Sequence, residues 1–291
     1  MVFEFLSVTS AGDIRMTIKD LLVNLATDIG EDATLDYAVS LARSFGAHAA
    51  GVAFAYEAVP AAMLVDDIPP NWIEEFRKEA EDAAKAAVGR FNEAARRAGI
   101  AVEARWMAAS FVGTADLFGR IGRRFDLTVV RQAEPDKGSP ASLIIEAALF
   151  ETGRPALIVP YIQKGGIKLD RVMVCWDGSR SAARAANDAV PFLKRAKAVE
   201  IVMVAEKGKS DEVPGADIAQ HLARHGIAIE TKQIVTADAK VADVLLSHAA
   251  DSSADFLVMG GFGHSRLREF ILGGVTRSIL EAMTVPALMS H

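Results

Sequence analysis

The residues best suited to chemistry are glycines and the polar side chains between them. In Met259 to Leu280, MGGFGHSRLREFILGGVTRSIL, the apolar run Phe256 to Met259 leads into Gly260, Gly261 and Gly263; after nine intervening residues Gly273 and Gly274 precede Val275, Ile279, Leu280 and Met283. A short apolar run ending in glycine reads as a buried strand entering a turn. The later apolar residues share one face of a helix at about 3.6-residue spacing. Glycine lets the main chain approach a ligand closely, and the N–H groups of a helix start attract anions, so strand, glycine loop and helix read as a phosphate cradle. His264, Ser265, Arg266 and Arg268 lie between the glycines. Arg266 reads equally as a partner for phosphate oxygens and as a solvated surface charge. No nucleophile stands beside a base in this stretch.

The spacing G-x2-G-x9-G at Gly260, Gly263 and Gly273, just before a terminal Val285 Pro286 Ala287 Leu288, resembles the universal stress protein family, in the branch whose members bind ATP. One departure is visible: the family pattern places Ser or Thr after the third glycine, and this chain has Gly274. Backbone N–H groups, Thr276, His264, Ser265 and Arg266 are left to compensate for that hydroxyl. The resemblance implies ATP, or AMP or ADP, as ligand, with Mg²⁺ arriving only on the phosphates. It also implies contacts from Trp176, Asp177, Val204, Met259, Gly260, Gly263, His264, Arg266, Gly273, Gly274, Val275 and Thr276.

Two of these residues have competing readings. Asp177 follows the apolar run Val172 to Trp176 and precedes Gly178 and Ser179, at a strand's carboxyl end where open α/β sheets bind ligands. It serves either a ligand or the next helix as N-cap, and Ser179 and Ser181 are alternative caps. Val204 resembles the position whose backbone contacts adenine, yet its side chain alone reads as core. His221, His225 and His248 have no carboxylate or cysteine cluster at ligand spacing, so no metal site is expected. The chain has no G-x-x-x-x-G-K-[ST], no G-x-G-x-x-G and no G-x-S-x-G, and no His-x-Gly-His of adenylyl-transferring ligases. Catalysis has no visible candidate, and slow ATP hydrolysis is the weakest of the functional readings.

The elements that must hold such a site repeat. Asp20 to Ala26 opens a strand, helix, strand unit that Arg171 to Asp177 opens again, with Asp177 opposite Ala26. Gly99 to Glu103 matches Gly226 to Glu230, Phe125 to Val130 matches Ala254 to Met259, and Arg154 to Val159 matches Val285 to Met289. This is an internal duplication. The expected domains are a tail at 1–16, a degenerate copy at 17–162, a linker at 163–167 and a nucleotide-binding copy at 168–291. The fold class is α/β: two tandem Rossmann-like doubly wound parallel sheets of about five strands each, related by a pseudo-twofold. By resemblance, the final strands, Ala156 to Tyr161 and Ala287 to Ser290, meet across that axis, as in a covalently joined dimer. Opposite Gly260 to Thr276 the first copy has Arg131 Gln132 Ala133 Glu134 Pro135 Asp136, where acidic groups repel phosphate and proline removes a donor.

The pairing offset falls from 151 (Asp20 with Arg171) to 127 (Gly99 with Gly226), so the first copy carries 24 extra residues. They fall near 57–80, around Pro60 to Pro70, before a helix expected from Asn71 to about Arg97. Met63, Leu64, Val65 and Ile68 there would cap the vacant site, meet a partner, or pack on their own domain. The 291 residues suit two domains, and 51% hydrophobic with 24% charged residues suits a soluble globular chain. A net charge of −6 disfavours nucleic acid or anionic lipid as partner. The one cysteine, Cys175, excludes an intrachain disulfide and suits a reducing compartment. With no signal peptide or membrane span in view, a cytoplasmic protein is expected. Its partners would be an adenine nucleotide and a protein that reads its occupancy; further homodimerisation stays open. A nucleotide-independent interaction module with a drifted glycine loop is the alternative.

Overall fold

The computed structural model describes residues 17–29, 32–57, 72–134, 140–206, 215–261 and 274–291. In the N-terminal half β1 (Asp20–Leu25), α1 (Ala33–Phe45), β2 (His48–Glu57), α2 (Trp72–Ala98), β3 (Glu103–Ser110), α3 (Phe111–Gly122), β4 (Leu127–Arg131), α4 (Ala141–Phe150) and β5 (Ala156–Val159) follow in turn. The C-terminal half repeats the order as β6 (Arg171–Cys175), α5 (Arg180–Asp188), the one-turn α6 (Val190–Leu193), β7 (Ala198–Glu206), α7 (Gly215–Arg224), β8 (Glu230–Thr236), α8 (Val241–Asp251), β9 (Phe256–Gly260), α9 (Gly274–Ala282) and β10 (Ala287–Ser290).

Within each half the strands are parallel, and the whole sheet runs β3-β2-β1-β4-β5-β10-β9-β6-β7-β8. The two five-stranded sheets do not merely lie side by side. Their last strands pair antiparallel, Ala287 with Ile158 and Met289 with Ala156, so ten strands form one sheet and each half closes an edge of the other. Crossover helices must then cover both faces. The strand residues alternate accordingly: Val172, Val174, Phe256 and Val258 enter one apolar layer, and Met173, Cys175, Leu257 and Met259 the other. The first layer runs through both halves. Phe45 of α1 lies 5.0 Å from Phe192 of α6, which stacks at 5.1 Å on Phe256 of β9. Arg195 crosses the same boundary, lying 4.0 Å over the Phe45 ring.

The helix expected after the insertion is α2, of 27 residues against 10 in its counterpart α7. Its buried side chains begin at Ala84, and Trp72, Ile73 and Phe76 on the first turns are exposed. Met63, Leu64, Val65 and Ile68 lie outside the described residues. Among the described residues no helix is long and apolar enough to cross a membrane.

Candidate functional site

In a sheet of this order the connections leave the first strand of each half in opposite directions, toward β2 and β4 in one half and toward β7 and β9 in the other. A crevice opens at the carboxyl ends there, and open α/β sheets bind ligands at such switch points. The molecule has two of them, and they are chemically unlike.

In the C-terminal half the described part of the crevice lies between the ends of β6, β7 and β9. Pairing of β6 with β7 ends at Cys175 and Val202, and Trp176 N–H donates to Val202 O at 2.9 Å. Along a parallel strand the backbone groups of alternate residues point to the same side. Val204 therefore aims its N–H and C=O toward the β6 edge, beyond the last residue that β6 pairs. Its half-buried side chain packs into the second apolar layer, so both readings of this position hold, one for each part of the residue.

Asp177 is exposed, and its carboxylate accepts from Ser179 N–H at 2.9 Å. The N-cap of α5 is Ser179, whose Oγ accepts from Ala182 N–H at 3.1 Å. Ser179 rather than Asp177 thus caps α5, and Asp177 stands exposed just beyond the carboxyl end of β6. Trp176 is half-buried; its indole Nε1 is buried and has no hydrogen-bond partner among the described residues. A buried donor without an acceptor is uncommon enough to need a reason.

The opposite wall is β9. Met259 is buried, and at Gly260 the strand end presses on the first turn of α5. A Cβ there would lie 2.5 Å from Ala182 N and 2.7 Å from the Ser181 carbonyl carbon and Oγ, so no side chain fits. Gly274 differs, since among the described residues a Cβ on it would meet nothing within 4 Å. It opens α9, followed by exposed Val275 and buried Thr276. Gly263, His264, Ser265, Arg266, Arg268 and Gly273 lie outside the described residues. Cys175, beneath the crevice, is no nucleophile: burial first, and the charge of Asp177 second, push its thiol up to about 12.

In the N-terminal half the same crevice is filled. Arg131 stands at the strand position that Gly260 holds in the other copy, and its side chain is nine-tenths buried. It pairs with Glu134, lies 4.0 Å from Asp32 and sits 6.0 Å over the Tyr161 ring. Asp32 caps α1 by accepting from Thr34 N–H at 2.9 Å. Burial raises its pKa above the usual carboxylate range, while Thr34 and Arg131 pull the other way. What remains between Asn24, Ala26, Thr27, Tyr56, Arg131 and Pro140 is a cavity of about 20 Å³, the size of one water and far below that of a nucleotide. Pro135 and Asp136 lie outside the described residues.

The three histidines considered as metal ligands lie at the end of α7 and on α8. His221 and His225 are ring neighbours at the end of α7, and His248 of α8 meets Glu200 of β7 at 2.8 Å. Among the described residues no group of three or more His, Cys, Asp or Glu is placed to hold a metal. The Glu200–His248 pair was not legible in the sequence, because its members are 48 residues apart and meet only once α8 crosses β7.

Residues 168–291 match the family model described as Universal stress protein family. A universal stress protein of Synechocystis sp. is 26% identical over 150 residues, 50% of this chain and 49% of that protein, so the match spans about half the length of that relative. A universal stress protein of Archaeoglobus fulgidus superposes with TM-score 0.69 at 18% identity, over 92% of this chain and 97% of its own. A protein of unknown function from Pseudomonas aeruginosa PAO1 does so with TM-score 0.58 at 13% identity, over 94% and 92%. Both structures are covered almost end to end, so the doubled arrangement is a fold they share with this chain. A universal stress protein solved in complex with cAMP matches 42% of this chain and 97% of its own, at 23% identity and TM-score 0.32.

Proposed function

We propose, from the premise that this chain belongs to the universal stress protein family in a tandem form, that its C-terminal half binds ATP or another adenine nucleotide. The bound state is the signal that a protein partner reads. Adenine would lie against the Val204 backbone edge, the ribose beside Asp177, and the phosphates over the first turn of α9 at Gly274, Val275 and Thr276. The observation that supports this most is the contrast between the two crevices. Among the described residues, one has a glycine at its strand end and the Val204 edge beyond its paired neighbour; the other is closed by a buried arginine and two carboxylates. The donor set suits a polyanion with a flat base: helix-start amides for the phosphates and a strand edge for the ring. Trp176 Nε1, without a partner among the described residues, would be one more donor for the adenosine end.

Equilibrium dialysis with labelled ATP tests the reading. One nucleotide per chain is expected, with azido-ATP crosslinks confined to peptides from 168–291. Hydrogen exchange across residues 260 to 276 should slow at saturating ATP. No uptake at millimolar nucleotide overturns the proposal and favours a nucleotide-independent interaction module.

A further inference from the structure

We infer that Gln132, a residue of the N-terminal half, positions α9 and through it the phosphate end of the C-terminal half's site. The inference rests on the nucleotide reading of that crevice and adds to it a residue from the opposite copy.

Gln132 follows Arg131 at the end of β4 and is 1% exposed. Its side chain crosses the pseudo-twofold. Nε2 donates to Leu280 O at 2.8 Å and to Glu281 O at 3.4 Å, two of the last carbonyls of α9. Its Oε1 accepts from Tyr161 N–H at 3.3 Å, and its own N–H donates to Val159 O at 2.8 Å. The side chain is therefore anchored on the chain leaving β5, the strand that joins the two sheets, and from there holds a helix of the other half.

That helix needs holding. It has nine residues, of which only Thr276 and Ile279 are buried, and a helix so short does not sustain itself in water. The end carbonyls of any helix lack an intrahelical donor, and Gln132 supplies one. Fixing the last turn of so short a rod fixes the first, where Gly274, Val275 and Thr276 would meet phosphate.

The clamp has no counterpart in the other direction. The residue of β9 that matches Gln132 is Gly261, whose N–H donates to Ser290 O at 2.8 Å as that of Gln132 does to Val159 O. A Cβ at Gly261 would point toward Leu149 of α4, 3.9 Å from its Cδ2. The position faces the equivalent helix, but glycine has no side chain to reach it. From across the axis, the helix that follows the glycine motif is held by hydrogen bonds to its end carbonyls, whereas the end of α4 meets the His291 ring at Phe150, 4.8 Å away.

The test compares wild type with Gln132→Met, which keeps the side-chain length and removes both the donor and the acceptor, and with Phe192→Leu, a core change remote from both crevices chosen for a similar loss of Tm. In Q132M, amide exchange in α9 should rise about tenfold, the factor equivalent to about 1.4 kcal/mol, with α4 unchanged and ATP binding about tenfold weaker. F192L should leave ATP affinity as in wild type. Unchanged exchange in α9 of Q132M overturns the clamp, and faster exchange with unaltered ATP affinity overturns the positioning role. A wild type that takes up no ATP overturns the nucleotide reading and the positioning role together, and exchange in α9 then still decides whether the clamp exists.

Discussion

The missing hydroxyl at Gly274 offers the most direct way to measure whether α9 starts at a phosphate. Among the described residues a Cβ there meets no atom within 4 Å, and the residue lies at the exposed start of the helix, so Gly274→Ser meets no described neighbour. Two effects follow. Serine is a better helix residue than glycine by about 0.5 kcal/mol, which raises stability slightly with or without ligand. A hydroxyl bonded to a charged oxygen contributes about 1.5–3 kcal/mol when sheltered. At an exposed helix start about half of that is reasonable, equivalent to roughly a tenfold gain in affinity. Gly274→Ala separates the two: it gains up to about 1 kcal/mol of helix preference and no hydroxyl. Titration calorimetry with ATP on wild type, G274S and G274A, beside a thermal melt of each, gives the answer. The reasoning predicts tighter binding in G274S alone. Equal tightening in G274A would mean that the gain comes from a stiffer helix. An unchanged affinity in a folded G274S would refute the placement of phosphate at this turn.

Other consequences are more local. Gly260→Ala forces a methyl to within 2.5 Å of the Ala182 backbone nitrogen, so α5 must shift; about 1–3 kcal/mol of stability and most ATP affinity should be lost, read by urea denaturation and dialysis. Ser179→Ala removes the α5 cap and should cost about 1 kcal/mol, whereas Asp177→Ala should weaken ATP binding with a smaller change in Tm than S179A. Phe192→Ala empties the aromatic stack between the halves and should cost about 3–5 kcal/mol in a urea titration. Arg131→Ala strips Asp32 of its counter-charge. Because the folded pKa of Asp32 is already raised, the folded state holds its proton over a window that opens near the unfolded value of about 3.9, and stability from this group is lost as pH rises through it. R131A widens that window upward, so its Tm deficit should be small near pH 4 and largest at neutral pH.

How much of this was legible in the chain depended on whether the signal was local. The order of elements along the chain followed from the duplication, since runs such as Arg171 to Cys175 and Phe256 to Gly260 are short, apolar and bounded by turn residues. The helix after the insertion, expected from Asn71 to about Arg97, is observed at Trp72–Ala98 because its apolar spacing is continuous from Ala84 onward. Ser179 could be foreseen as a cap because capping is decided within three residues. Gln132 could not. Its partners Leu280 and Glu281 are 148 and 149 residues away, and nothing in the spacing of either segment marks the bond. Arg131 was half legible: its alignment with Gly260 was in the sequence, but that its guanidinium turns inward between Asp32 and Glu134 depended on the path of the loop before α1. The continuous ten-stranded sheet was also beyond local patterning, because Ala156–Val159 reads the same whether it lies beside its twin or pairs with it.

The two halves therefore differ in a directed way. A glycine at the end of β9 admits the close approach of α5, and the same position in β4 carries an arginine that closes its own crevice. One residue further along, the roles reverse: Gln132 reaches across the axis and Gly261 cannot. If the N-terminal copy were merely decaying, loss of its crevice would not be accompanied by a buried, doubly bonded contact to the helix of the surviving one. Two adjacent substitutions relative to the C-terminal copy, one inward and one outward, close the N-terminal crevice and turn its strand end into a support for α9. That conversion also explains why fusing the copies matters, because a symmetric pair of identical chains could not place glutamine on one side of the axis and glycine on the other.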